Sequence, residues 1–116
     1  MSHLISHHLL LCATSNKSLC CDLTQGVKCW EKLKYLIKEL NLESPQRKEG
    51  IVLRSKVDCL RICKQGPILL VWPEGIWYNK ISPERIEKII KRHIVGGNPI
   101  KEWVFKETPL TLSKML

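Results

Sequence analysis

Apolar residues fall in short runs separated by polar, charged, glycine-bearing or proline-bearing stretches, and the runs differ in period. Residues 9–13 form a continuous apolar run, which predicts a buried strand. A polar stretch over 14–26 predicts a loop. From 27 to 40, Trp30, Leu33, Ile37 and Leu40 recur at helical spacing with lysines on the opposite side, the pattern of an amphipathic helix. Asp22 and Gln25 just ahead of it form a weak capping-box signal. After a turn region around Pro45, residues 51–57 alternate Ile51, Leu53, Ser55 and Val57 against Val52, Arg54 and Lys56, as a half-buried strand does. Residues 67–72 and 76–81 flank Pro73-Glu74-Gly75 and predict a hairpin. Ser82-Pro83-Glu84 is a strong helix start: a serine cap, a proline in the first turn, and an acid at the positive end of the dipole. Ile86, Ile89, Ile90 and Ile94 form its apolar face, and Gly96-Gly97 stops it. Residues 103–105 are a last apolar patch, and 106–116 are expected to be a flexible tail.

The order strand, helix, strand, loop, strand, strand, helix predicts an α/β domain spanning residues 1–116. In it a small mixed sheet is covered by two helices. A chain of 116 residues can bury such a core without cross-links, so its six cysteines need another explanation. No apolar run approaches the ~18 residues of a membrane span. The N-terminus lacks the basic start of an export signal, and His3, His7 and His8 break its apolar stretch. Leu11 ahead of Cys12 argues against a lipoprotein. The expected location is therefore the cytoplasm, where thiols stay reduced and cysteine sets serve metal or redox chemistry.

Cys59 and Cys63 stand in VDCLRICKQGP, and Cys12 with Cys20-Cys21 follows the first apolar run. The loops bearing them are expected at one edge of the sheet, after its first and second strands. Two such groups can supply the four thiolates of a 2Fe–2S centre, two per iron, with Cys59 and Cys63 on one iron and Cys12 with Cys20 or Cys21 on the other. A four-cysteine zinc site uses similar spacings and stays open, although Cys12 to Cys20 or Cys21 is long for a zinc pair. Cys29, beside Trp30 on the expected helix, fits a small buried hydrophobe. His3, His7, His8 and His93 lack the cysteine spacing of a histidine-ligated cluster, and no C-x-x-C dithiol is present.

The excess of basic residues, formally +8, suits an acidic partner or a solvated basic surface. No aromatic-interleaved nucleic-acid motif accompanies it, so no nucleic acid is expected. Arg61, Lys64 and Lys56, near the second cysteine loop, are candidates to offset cluster charge or dock a partner. Trp72, Trp77 and Tyr78 are expected to pack the hairpin, and Pro67 to fix the backbone entering the central strand.

The segment GPILLVWPEGIWYNKISPERIEKIIKRHIVGGNPIKEW resembles the C-terminal half of the thioredoxin-like 2Fe–2S ferredoxins. HLLLCATSNKSLCC and DCLRICKQGP resemble that family's two cluster loops, and the closest likeness is to short cyanobacterial-type members. The resemblance implies a thioredoxin-like fold without the dithiol, one 2Fe–2S cluster, and one-electron carriage with no catalysis of its own. It also implies redox protein partners and allows a homodimer. Cys12, Cys59 and Cys63 match the family's ligands. The first loop is shorter than in many members and offers Cys20 and Cys21 for the remaining place. Cys21 is favoured because it lies nearer the helix start, whose positive dipole end suits a thiolate. Two rival functions stand beside this one: a zinc-stabilised structural or nucleic-acid-binding module, and an assembly subunit of a redox complex.

Overall fold

A computed structural model describes residues 4–12, 23–57 and 66–108. Five strands form one mixed sheet: β1 (Ile5–Cys12), β2 (Ile51–Val57), β3 (Leu69–Trp72), β4 (Ile76–Tyr78) and β5 (Val104–Glu107), in the order β2-β1-β3-β4-β5. Strand β1 runs parallel to β2 and antiparallel to β3, and β4 runs antiparallel to both of its neighbours, β3 and β5. Parallel neighbours need a crossover, and helix α1 (Leu23–Glu39) supplies it between β1 and β2. The architecture matches the mixed sheet and two helices expected from the pattern.

Side-chain alternation divides the sheet into two faces. Leu9 and Leu11 of β1, Val52 of β2 and Val71 of β3 join Leu33, Leu36 and Ile37 of α1 and Ile86 and Ile89 of helix α2 (Pro83–Ile89) in the main core. The opposite face gathers Cys12, Ile68, Leu70 and Trp77, with Leu10, Val57, Trp72 and Phe105 partly buried around them. Among the described residues, both helices contribute to the first cluster and neither to the second.

Three elements differ from the sequence expectation. Helix α1 begins at Leu23 rather than 27, and its buried stripe is Cys29, Leu33, Leu36 and Ile37. Trp30 sits at the rim of that stripe and Leu40 is 36% exposed, because the stripe is rotated by about one position from the aromatic residue that suggested it. In β2 the fully buried residue is Val52, from the set the alternation placed outward, since α1 packs on that side. The apolar patch at 103–105 is no mere prelude to a tail. A 3-10 turn (Lys101–Trp103) leads into β5, where Lys106 and Glu107 pair with Trp77 and Ile76. Residues 109–116 lie outside the described part, as does Asp22.

The second helix starts as its residues dictate. Ser82 takes extended geometry, its hydroxyl accepts the Arg85 N–H, and Pro83 occupies the first turn. The helix continues as a π-helical turn (Ile90–Val95), and Gly97 closes it at φ +80. Packed against this turn is a buried polar group: Tyr78 Oη lies 2.8 Å from His93 Nδ1 and accepts the Ile100 N–H. Burial pushes the Tyr78 phenol up to about 12. Burial also holds the His93 imidazole below its ordinary value, against the pull of Glu74. Glu74 itself stays below the usual carboxylate range. Burial alone would raise it, but its own backbone N–H, His7 and His93 together outweigh that.

Candidate functional site

Cys12 is the last residue of β1, and its Cα partner across the parallel ladder is Val57, the last residue of β2. Parallel neighbours run about 4.8 Å apart and point the same way, so both strands release their chains at adjacent points on one end of the sheet. The first cysteine-bearing segment follows Cys12 and precedes Leu23, the start of α1. The second leaves from Val57 and returns at Gly66, which precedes a cis Pro67. Its return is tied to the same place, because the Cys12 N–H donates to the Ile68 carbonyl at 3.0 Å. The Pro67 carbonyl in turn accepts the Ile81 N–H at 3.1 Å, which fixes the returning strand against the start of the second helix.

Cys12 therefore has the origin of the second loop as its ladder neighbour and the end of that loop as its hydrogen-bond partner. Cys59 stands two residues beyond Val57 in the chain, and Cys63 five before Ile68. Cys20, Cys21, Cys59 and Cys63 lie outside the described residues. Of the sequence-derived ligand set, Cys12 is the one with a described position, and it is completely buried. The donor chemistry fits an iron–sulfur group: a buried sulfur at the strand end, and loops carrying further thiols anchored on either side of it.

Cys29 does not share this environment. It is buried in the main core on the helix-covered face, with its Sγ 3.7 Å from the Ile81 carbonyl oxygen. Cys12 belongs to the opposite face with Leu70 and Trp77. The sheet stands between the two sulfurs, which agrees with the sequence reading of Cys29 as a core residue.

The other candidates separate similarly. Lys56 pairs with Leu11 across the ladder, and its ammonium lies 5.5 Å from the Trp30 ring centre; the Arg54 guanidinium lies 5.7 Å from it. Trp30 thus has two cations over its ring, a cation–π arrangement, and Lys56 is exposed on β2. Arg61 and Lys64 lie outside the described residues. Trp77 and Tyr78 are buried, as expected of packing residues; Trp77 stacks edge-on against Phe105, and its indole N–H donates to Thr108.

The chain is 32% identical over 97 residues to a 2Fe–2S ferredoxin of Clostridium pasteurianum, covering 82% of this chain and 91% of the relative. It belongs to the 2Fe–2S ferredoxin family. A 2Fe–2S ferredoxin of Aquifex aeolicus is 35% identical over 49 residues, covering 42% of this chain and 44% of that one. No protein-family model matches the chain. The fold is similar to that of a thioredoxin-like [2Fe–2S] ferredoxin from Aquifex aeolicus, with a TM-score of 0.73 at 19% identity over 94% of this chain and 96% of that one. A second structure of the wild-type Aquifex protein gives a TM-score of 0.71 at 20% identity, covering 90% and 99%. The family and the thioredoxin-like fold are thus those that the two cysteine loops and the GP–hairpin–helix run suggested.

One constellation had no sequence signal. His7, Glu74 and His93 meet at the opposite end of the sheet from Cys12, although Glu74 is 67 residues from His7 and 19 from His93. Their spacing in the sequence excludes a histidine-ligated cluster and points to no other site.

Proposed function

We propose that this protein is a one-electron carrier whose 2Fe–2S cluster is held by Cys12, Cys21, Cys59 and Cys63, with Cys20 as the alternative to Cys21. The observation that carries this reading is the pairing of Cys12 with Val57 at the ends of parallel strands, with Ile68 bonded alongside. It ties both ends of the second cysteine loop, and the start of the first, to one point of a rigid sheet. When bound, the cluster supplies reversible one-electron transfer.

The chain's own residues hold and insulate that group. Cys12 is buried among Ile68, Leu70 and Trp77, so its thiolate is shielded from water on the sheet side. Cys21 is preferred over Cys20 because α1 begins only two residues after it, where unpaired N–H groups favour a thiolate. The basic excess of the chain suits docking to an acidic redox partner, with association weakening as salt rises. No catalytic activity of its own and no nucleic-acid binding belong to this reading. Among the described residues no helix is long and apolar enough to cross a membrane. We assign the protein to the cytoplasm, where its thiols stay reduced, and a homodimer is the assembly suggested by the family likeness.

Anaerobic purification followed by iron and sulfide analysis, with visible and EPR spectra of oxidised and reduced protein, tests the reading. Cys59→Ser or Cys63→Ser abolishes the normal cluster spectrum; a wild-type spectrum in either variant overturns the ligand set. Cys21→Ser alters the spectrum while Cys20→Ser preserves it, and the reverse result assigns Cys20. Zinc in place of iron, without visible absorbance, would make the protein a zinc-stabilised module instead. A metal-free folded chain bound within a larger complex would make it an assembly subunit.

A further inference from the structure

We propose that His7, Glu74 and His93 form a second metal site, distinct from the cysteine loops, that binds a divalent transition cation of the zinc type. The three side chains come from β1, from the turn between β3 and β4, and from the π-helical turn after α2. His7 Nε2 and His93 Nε2 each lie 3.3 Å from the same carboxylate oxygen, Glu74 Oε2, and all three atoms fall within 4.8 Å of one another.

The nitrogen–oxygen distances admit a cation as well as a hydrogen-bonded triad. Zinc bonds to imidazole nitrogen and carboxylate oxygen are about 2.0–2.1 Å, so tetrahedral ligand atoms sit roughly 3.3–3.4 Å apart. That matches both nitrogen–oxygen separations. Charge-assisted N–H···O bonds prefer about 2.7–2.9 Å.

Orientation suits the cation. A ligating imidazole needs its other nitrogen held by an outer partner, which fixes the ring and directs the lone pair. His93 Nδ1 has Tyr78 Oη at 2.8 Å, and His7 Nδ1 has Ser6 Oγ at 3.2 Å. Ser6 is in turn held by Arg47 Nη1 at 2.9 Å, and Tyr78 by the Ile100 N–H at 3.1 Å. Both rings thus have an outer hydroxyl able to accept an Nδ1–H, leaving both Nε2 atoms turned toward one carboxylate.

The His93 side chain is fully buried, that of His7 is 15% exposed and that of Glu74 39%. The site is closed on the core side and open on one side, where water can take a fourth position. His93 belongs to a π-helical turn, a rare element that collects at functional positions. Two imidazoles and one carboxylate select a transition cation rather than calcium or magnesium, which prefer all-oxygen shells. Five residues of strand, about 17 Å, separate His7 from Cys12, so this inference does not depend on the cluster assignment.

The test is zinc titration of the untagged, cluster-loaded chain by calorimetry, with the visible spectrum followed in parallel. One zinc per chain binds with the cluster spectrum unchanged, and calcium and magnesium do not compete. His7→Gln and Glu74→Gln, at the more exposed positions, each weaken zinc at least about ten-fold, and Tyr78→Phe weakens it about ten-fold through the freed His93 ring. If His93→Gln does not fold, the His7 and Glu74 variants decide. Zinc binding unchanged in both of them overturns the site, as does the absence of saturable binding. Zinc uptake that bleaches the cluster and persists in Glu74→Gln places the metal on the cysteines and equally overturns it.

Discussion

Tyr78 Oη lies 2.8 Å from His93 Nδ1 and takes the Ile100 N–H at 3.1 Å, so one buried phenol joins β4, the end of the second helix and the segment leading into β5. Both contacts are inside the core, where an unpartnered polar group cannot turn to water. Tyr78→Phe removes the hydroxyl and orphans the Ile100 N–H. The expected loss is about 1–3 kcal/mol of stability, measured by denaturant unfolding of the cluster-loaded protein, with the cluster spectrum unchanged. A loss within error would mean that water replaces the hydroxyl.

Cys12 and Cys29 are both completely buried but lie on opposite faces of the sheet. Cys12→Ser is expected to change the visible and EPR signature of the cluster, because a hydroxyl replaces the sulfur donor. Cys29→Ala leaves the spectrum as it is and lowers stability by about 1 kcal/mol or more, through the space left beside Ile81. The opposite pattern, a changed spectrum in Cys29→Ala alone, would contradict the assignment.

Gly75 has φ +70, and a Cβ built on it collides with the Thr108 carbonyl. The close approach exists because the Thr108 N–H donates to the Gly75 carbonyl at 2.7 Å, holding the end of β5 against the turn. Gly75→Ala combines a left-handed backbone, which costs about 1–2 kcal/mol for a residue with a side chain, with that collision. A loss of about 2 kcal/mol or more is expected in thermal unfolding. Amide exchange at Thr108 should speed up with it, and protection equal to wild type would show that β5 shifts without penalty.

Glu87 joins the two helices, contacting Lys91 at 2.9 Å on its own helix and Lys32 of α1 at 3.1 Å. The hydrogen bond from Lys91, then that from Lys32, holds the carboxyl below its ordinary value of 4.5. A depressed carboxyl stabilises the fold above the unfolded-state value and loses that contribution as pH falls through the folded-state value. Wild type should therefore be slightly more stable than Glu87→Gln near neutrality. The difference should shrink below pH 4.5 and also at high salt, since the pair is exposed. Paired thermal melts of the two proteins across pH measure it; a difference that grows in acid would reverse the sign.

Local physical chemistry was legible where the deciding contacts are local. Ser82-Pro83-Glu84 starts a helix because the cap, the fixed φ and the dipole all act within one turn. Pro73-Glu74-Gly75 turns a hairpin because Gly75 supplies the positive φ. The cysteine groups and the GP-bearing segment carried the family likeness, because ligand number and loop spacing are properties of the chain itself.

Tertiary structure decided the rest. Strand β5 is four residues without a clear alternation, and it is a strand because β4 offers it an edge. The buried stripe of α1 runs through Cys29, Leu33, Leu36 and Ile37, with Trp30 at its rim, where Arg54 and Lys56 of β2 lie over the indole. The adjacency of Cys12 and Val57 comes from parallel pairing, which no spacing announces. His7, Glu74 and His93 converge only because a strand, a turn and a helix end meet at one end of the sheet. Sequence alone determined which donors the chain carries and which short segments fold. Which donors face one another was decided by long-range packing, because side chains far apart in the chain meet only once the sheet and helices have closed around them.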